Sequence, residues 1–216
     1  MHRFVWDLRY GRVGEKTSDD VEETGIESWI GPTVLPGRYQ VKLTLNGRNL
    51  LQPLEIAMDP RSLMTRAELA QQFQWAQRVF EDLLIARKAE REVRELQTQL
   101  AQASANLKSE QASLRNAITS ANRTCGEILT GGKQPSEQGL ESASRALTVA
   151  LGCIDGADRA TPSQVIALYQ DSVKTVKARV AEWEALKQGT LPTLNEQLRS
   201  AGLAAIEISE ITPHPN

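Results

Sequence analysis

Residues 83–100 read LLIARKAEREVRELQTQL, and the spacing of their apolar members decides the architecture. Ala86, Ala89, Val93, Leu96 and Leu100 recur at intervals of three and four, which places them on one face of a helix. Upstream the stripe runs through Leu69, Phe73, Ala76, Phe80 and Leu83, with a shift of phase before Ala86. Downstream it continues through Ala103 and Leu107. Glu90 with Arg94 and Lys88 with Glu92 are i,i+4 pairs of mixed sign, read as a solvated face opposite a bundle or coiled-coil seam.

The ends of this helix and of its successors are marked by local chemistry. Thr65 with Glu68 three residues later is a capping box that follows the break at Asp59-Pro60. Neither Gly nor Pro occurs from Thr65 to Cys125, and one unbroken helix would be on the order of 90 Å long at 1.5 Å per residue, so a turn is expected between Ser104 and Ser109. A second helix runs to about Leu129 and stops at Gly131-Gly132 and Pro135. Leu140, Ala143, Leu147, Ala150 and Ile154 give a third, closed by Asp155-Gly156. Thr161-Pro162-Ser163-Gln164 opens a fourth, whose seam is Val165, Tyr169, Val173, Val176, Val180 and Trp183. After Gly189, Leu191-Pro192-Thr193-Leu194-Asn195 begins a short last helix that ends at Gly202. Ile206, Ile208 and Ile211 are too few to define an element, although the first two suit a brief terminal strand.

The first sixty residues carry the period of strands instead. Phe4, Trp6, Leu8 and Tyr10 alternate with their neighbours, and so do Tyr39, Val41, Leu43 and Leu45. Asn46-Gly47 supplies a type I′ hairpin turn, and Leu50, Leu54, Ile56 and Met58 follow on a return strand. Pro36-Gly37 suits a type II turn. Between the strands, Gly11 to Leu35 reads as a long loop with a solvated acidic cluster at Asp19, Asp20, Glu22 and Glu23. Trp29 and Ile30 are placed to fold it back. Three strands are fewer than the roughly seven of an immunoglobulin-like sandwich, so the sheet is partial and leaves an unpaired edge. That edge predicts a homo-oligomer, or an apolar patch that another segment covers.

The fold class is therefore α+β, mostly α: a small partial Ig-like sheet over residues 1–60, an antiparallel four-helix-type bundle with long coiled-coil-like helices over 61–205, and a tail at 206–216. Trp6, Tyr39, Phe73, Phe80 and Trp183 are the expected large core side chains. Trp29 and Trp75 are the candidate interface aromatics, with Trp75 turned toward the β piece.

Composition excludes several functions. With 25 Lys and Arg against 27 Asp and Glu, the net charge of −2 gives no basic field for nucleic acid. No run approaches the roughly 20 apolar residues of a membrane span, and residues 1–7 carry no signal-peptide pattern, which favours the cytoplasm if Met1 is the native start. His2 and His214 stand at opposite ends, so neither a His-based triad nor a multi-His metal site can be assembled. Gly131-Gly132-Lys133 lacks the spacing of a phosphate loop. No catalytic residue, cofactor or metal ligand emerges, and the chain is not expected to be an enzyme. Cys125 and Cys153 read as small core side chains, with a bridge between them left open.

Trp6-Asp7-Leu8-Arg9-Tyr10, Gly31-Pro32 and Pro36-Gly37-Arg38-Tyr39-Gln40-Val41 resemble the core of the FlgD-like immunoglobulin module. With Gln52-Pro53-Leu54, Asp59-Pro60-Arg61, Leu69 to Gln72, Trp183 and Leu191-Pro192-Thr193-Leu194-Asn195 added in order, the chain from Phe4 to Ile206 is similar to the C-terminal region of bacterial exported β-propeller proteins with sortilin-like or BNR-type repeats. The resemblance implies a non-catalytic accessory or protein-interaction module, partnered by an upstream propeller or another protein, and an extracellular or periplasmic location. It transfers no active site: carboxylates implied by the glycosyl-hydrolase label of such proteins would lie in the propeller. A free-standing cytoplasmic coiled-coil scaffold or adaptor is the competing expectation.

Overall fold

The structure is a computed structural model that describes residues 5–10, 31–108, 110–132 and 137–208. A hairpin of β1 (Gly37–Leu45) and β2 (Arg48–Ile56) precedes five helical segments: α1 (Arg66–Ala105), α2 (Ala112–Thr130), α3 (Leu140–Asp155), α4 (Ser163–Ala185) and α5 (Leu191–Ser200). The mostly-α class and the long bundle helices are as the periodicity predicts. β2 ends at Ile56 and α1 begins at Arg66.

The capping box at the start of α1 is formed in both directions. Glu68 N–H donates to Thr65 Oγ1 at 3.2 Å, and Thr65 N–H donates to Glu68 Oε2 at 2.7 Å. With no Gly or Pro inside it, α1 runs 40 residues, roughly 60 Å at 1.5 Å each. It ends at Ala105, inside the window expected for the turn. Asn106 N–H there bonds the Ala103 and Ser104 carbonyls, and Lys108 N–H is taken by Gln111 Oε1 at 2.9 Å.

Side-chain pairs fix how the passes run. Arg94 meets Glu141, Glu90 meets Ser144 and Gln72 meets the Ile154 carbonyl, so α3 descends antiparallel to the lower part of α1. The start of α2 lies beside α5 at the opposite end, where Gln111 and Leu114 share a shallow depression with Thr193 and Gln197. Consequently α2 and α3 follow one another down the same flank, and the chain makes three passes rather than the four of the expected bundle. Asp82 with Tyr169 and Glu92 with Trp183 show α4 rising parallel to α1. The core is one continuous cluster from Ala76 and Val79 through Leu96, Leu100, Ile128, Leu140 and Leu147 to Trp183 and Leu198.

Several local expectations are corrected. The strand expected over residues 4–10 is reduced, in its described part, to a single bridge between Arg9 and Thr33. Leu8 has φ of 61°, and Asp7 Oδ1 accepts the Arg9 N–H at 3.2 Å in an Asx-type turn that interrupts extended pairing. Gly37 enters β1 as its first residue and does not take the positive φ of a type II turn. Thr161 does not cap α4: the Pro162 carbonyl receives the first helical N–H groups, and Thr161 Oγ1 is buried without a partner. Gly189 does not break the last pass. Residues Leu186–Thr190 form a π turn that joins α4 to α5, with Leu191 N–H reaching back to the Leu186 carbonyl, and this widening absorbs Pro192 early in the next helix.

Residues 206–208 form no strand, and Ile206 belongs to the core rather than to a tail. Asn195 donates to the Ile206 carbonyl at 3.0 Å and accepts its N–H at 2.8 Å. Gln99 does the same for Glu207 at 2.6 and 3.1 Å. Two side-chain amides thus stand in for a neighbouring strand.

Phe80 is only 8% exposed on α1. Phe80→Ala is expected to lower the unfolding free energy by about 3 to 5 kcal/mol, the range for a truncated core aromatic. Urea denaturation checks this, and a near-neutral change would remove Phe80 from the core.

Candidate functional site

The i,i+4 pairs of α1 do not lie on a solvated face. Glu90 is fully buried and Glu92 is 5% exposed. Ser144 Oγ donates to Glu90, whose other oxygen meets Arg87 at 3.3 Å and Arg94 at 3.4 Å; Arg94 also reaches Glu141 at 2.9 Å. Trp183 Nε1–H donates to Glu92 Oε2 at 2.8 Å, beside Lys187 at 3.4 Å. Lys187 also contacts Glu184 at 2.8 Å and lies over the Trp183 ring, 5.2 Å from its centroid. Burial opposes the Lys187 charge, but Glu184 and Glu92 outweigh it and raise the pKa of the ammonium. One turn system below, Tyr169 donates to Asp82 at 2.8 Å, and burial together with that bond pushes the phenol up to about 12.

These acids join helices. Each of the three carboxylates Asp82, Glu90 and Glu92 has a donor on α3 or α4. The sequence carries a signal that the pairing rule obscures: Glu90 is four residues after Ala86 and Glu92 is three after Ala89, so both are in phase with the apolar stripe.

A second polar cluster joins the β piece to the bundle. Asp155, the last residue of α3, accepts from Arg9, from Thr33 N–H at 3.1 Å and from Thr33 Oγ1 at 3.1 Å. A carboxylate is unfavourable at the negative end of a helix dipole, and Arg9 offsets it. Gln72 of α1 closes the same end by donating to the Ile154 and Ala157 carbonyls. A cleft of about 210 Å³ opens here, lined by apolar Leu35, Ile56, Met58, Phe73 and Ala76 and by Asp59, Asp155 and Asp158. Among the described residues no group of three or more His, Cys, Asp or Glu side chains is arranged to hold a metal.

The expected core aromatics divide between these regions. Trp183 and Phe80 are buried in the bundle. Trp6, Tyr39 and Phe73 are half-buried at the junction, where Trp6 meets Tyr39 edge-on at 5.9 Å and Tyr10 packs on Phe73 at 5.4 Å. Trp75 does not face the β piece. It meets Tyr169 of α4 edge-on at 5.9 Å, with Arg78 over its ring. Trp29 and the acidic cluster at 19–23 lie outside the described residues. Cys125 and Cys153 are free, and burial pushes the Cys125 thiol up to about 11, which keeps it protonated and inert at neutral pH.

The remaining candidate is the hairpin surface. Cross-strand partners share a face, so the register places Tyr39, Val41, Leu43 and Leu45 with Leu54, Gln52, Leu50 and Arg48 on one side. Arg38, Gln40, Lys42 and Thr44 lie with Glu55, Pro53, Leu51 and Asn49 on the other. The base of the apolar side is partly covered, at Tyr39, Leu54 and Ile56. Toward the tip, Val41, Leu43, Leu45 and Leu50 are 49%, 57%, 62% and 63% exposed.

No protein-family model, curated protein or solved structure matches the chain.

Trp183→Phe keeps most of the ring but leaves Glu92 without its indole donor. It is expected to cost about 1.5 to 3 kcal/mol, the range for a hydrogen bond to a charged group. The loss should shrink when made in a Glu92→Leu background, as a double-mutant cycle by urea denaturation would show. Simple additivity would mean that the two side chains are not coupled. Alkaline pH gives an independent check. A folded-state phenol pKa above its unfolded value favours folding below about pH 10, and that contribution is lost as pH rises toward about 12. The wild-type denaturation midpoint should fall through this window, and Tyr169→Phe should flatten part of the fall. An identical slope in the variant would overturn the assignment.

Proposed function

We propose that the chain is a non-catalytic interaction module, a helical rod that presents a β-hairpin to another protein. The hairpin carries this reading. Its apolar side is covered only at the base, whereas Val41, Leu43, Leu45 and Leu50 form an exposed apolar stripe near the tip. An exposed apolar surface of that kind marks interaction sites on folded proteins. The buried carboxylates support it from the other side, since Glu90 and Glu92 are bonded to neighbouring helices rather than aimed into a cleft.

The ordered resemblance to the C-terminal region of exported β-propeller proteins supports the same reading and supplies a partner class, an upstream propeller, together with an extracytoplasmic location. Among the described residues no helix is long and apolar enough to cross a membrane.

A photo-reactive amino acid at Leu43, introduced into the protein in its native cell, tests the proposal. Irradiation should give a covalent adduct to another folded domain, and the same group at exposed Lys174 on α4 should not. Absence of any Leu43-specific adduct would overturn the reading.

A further inference from the structure

We infer that β1 is the accepting edge for an added β-strand whose side chains alternate apolar with acidic. This rests on the interaction-module reading above and specifies the partner's chemistry.

The hydrogen-bonding direction of each residue follows from the turn. Asn46 and Gly47 have φ of 49° and 76°, the type I′ geometry, in which the residue after the loop donates to the residue before it. Leu45 and Arg48 are therefore a hydrogen-bonded pair. Alternation along an antiparallel ladder then makes Leu43 with Leu50, Val41 with Gln52 and Tyr39 with Leu54 bonded pairs as well. The intervening residues point their N–H and C=O groups outward. On β1 these are Arg38, Gln40, Lys42 and Thr44; on β2 they are Asn49, Leu51, Pro53 and Glu55. Pro53 fits this assignment, because its missing N–H falls on the outer side and costs the ladder nothing.

The two edges are consequently unequal. Pro53 interrupts the outer row of β2 at its third position, whereas β1 offers an unbroken row. Every residue from Gln40 to Leu45 is exposed. A strand laid along β1 gains main-chain bonds for affinity, and its alternating side chains set specificity.

Charge selects the occupant. The hairpin carries Arg38, Lys42 and Arg48 against Glu55 alone, although the chain as a whole has a net charge of −2. Glu55 lies opposite Arg38, but the residue opposite Lys42 is Leu51. An incoming strand with acids on the polar side pairs with Lys42 and Arg38, and its apolar side chains extend the Val41, Leu43 and Leu45 stripe. A second copy of β1 would bring its own Arg38 and Lys42 to the same side, a like-charge arrangement that blunts edge-to-edge pairing.

The test uses a nine-residue peptide of alternating valine and glutamate, and its valine-lysine counterpart, titrated into the full chain. Amide exchange read by NMR should show protection gained at Arg38, Gln40, Lys42 and Thr44 but not at Asn49 or Leu51. The glutamate peptide should bind about tenfold tighter or more. Lys42→Pro and Leu51→Pro remove outward N–H groups at directly opposite positions, so each leaves the hairpin ladder intact. Lys42→Pro should lose the peptide and Leu51→Pro should keep it, with the helical signal of both unchanged. Equal binding of the two peptides, loss with Leu51→Pro alone, or protection that rises with protein concentration in the absence of peptide would each overturn the inference. A Leu43 adduct in the cell with no peptide binding would sink this inference and leave the interaction-module reading standing.

Discussion

The rod depends on where three acids of α1 find their donors. Apolar contacts are non-directional and scale with area, so a helix that slid by one heptad would recover much of its burial. Asp82 with Tyr169, Glu90 with Ser144 and Glu92 with Trp183 would not survive such a slide. Burying Glu90 completely is costly; Arg87 and Arg94 meet one of its oxygens from within α1, and the other is satisfied only in the alignment that brings Ser144 of α3 to it. Register, more than gross stability, is what these groups supply. The parallel pass of α4 and the antiparallel pass of α3 both follow from them.

From that alignment the junction is built. With α3 fixed against α1, its C-terminal carbonyls come within reach of Gln72, and Asp155 is presented to the N-terminal segment. Arg9 and Thr33 then tie two stretches far apart in sequence to a single carboxylate. The hairpin itself has little part in this. Its base leans on Trp6 and on the cleft lined by Leu35, Ile56 and Met58, while its tip stands clear of the helices.

Features encoded by neighbouring residues were legible in the sequence. The capping box at Thr65, the turn at Asn46-Gly47 and the stops after Thr130 and Asp155 each depend on chemistry within a few positions. What was not legible depends on partners far along the chain. Glu90 and Glu92 looked solvated because an i,i+4 rule describes an isolated helix, and the donors that bury them are about fifty and ninety residues away. Pro192 and Gly189 looked like a break because no sequence rule anticipates a π turn that accommodates both. Residues 5–10 alternate like a strand, yet Asp7 bonds its own backbone and diverts the chain. Asp155 left one trace, an acid at a helix C-terminus where the dipole disfavours it, which demands a cation such as Arg9. The hairpin's exposed apolar side was readable as a shortage of strands.

That shortage bears on why the hairpin has the sequence it has. A two-stranded ribbon alone is marginal in water, and burial against the bundle reaches only its base. The tip could lose Val41, Leu43 and Leu50 to polar residues without opening a cavity in the helical core, since none of the three belongs to that cluster. Strict alternation nevertheless continues along β1 to Leu45, with leucine opposite leucine at positions 43 and 50. Fold stability gives no reason for that pattern. A surface that completes a sheet or covers one does, because it needs apolar residues on one side, polar residues on the other and one edge left able to pair.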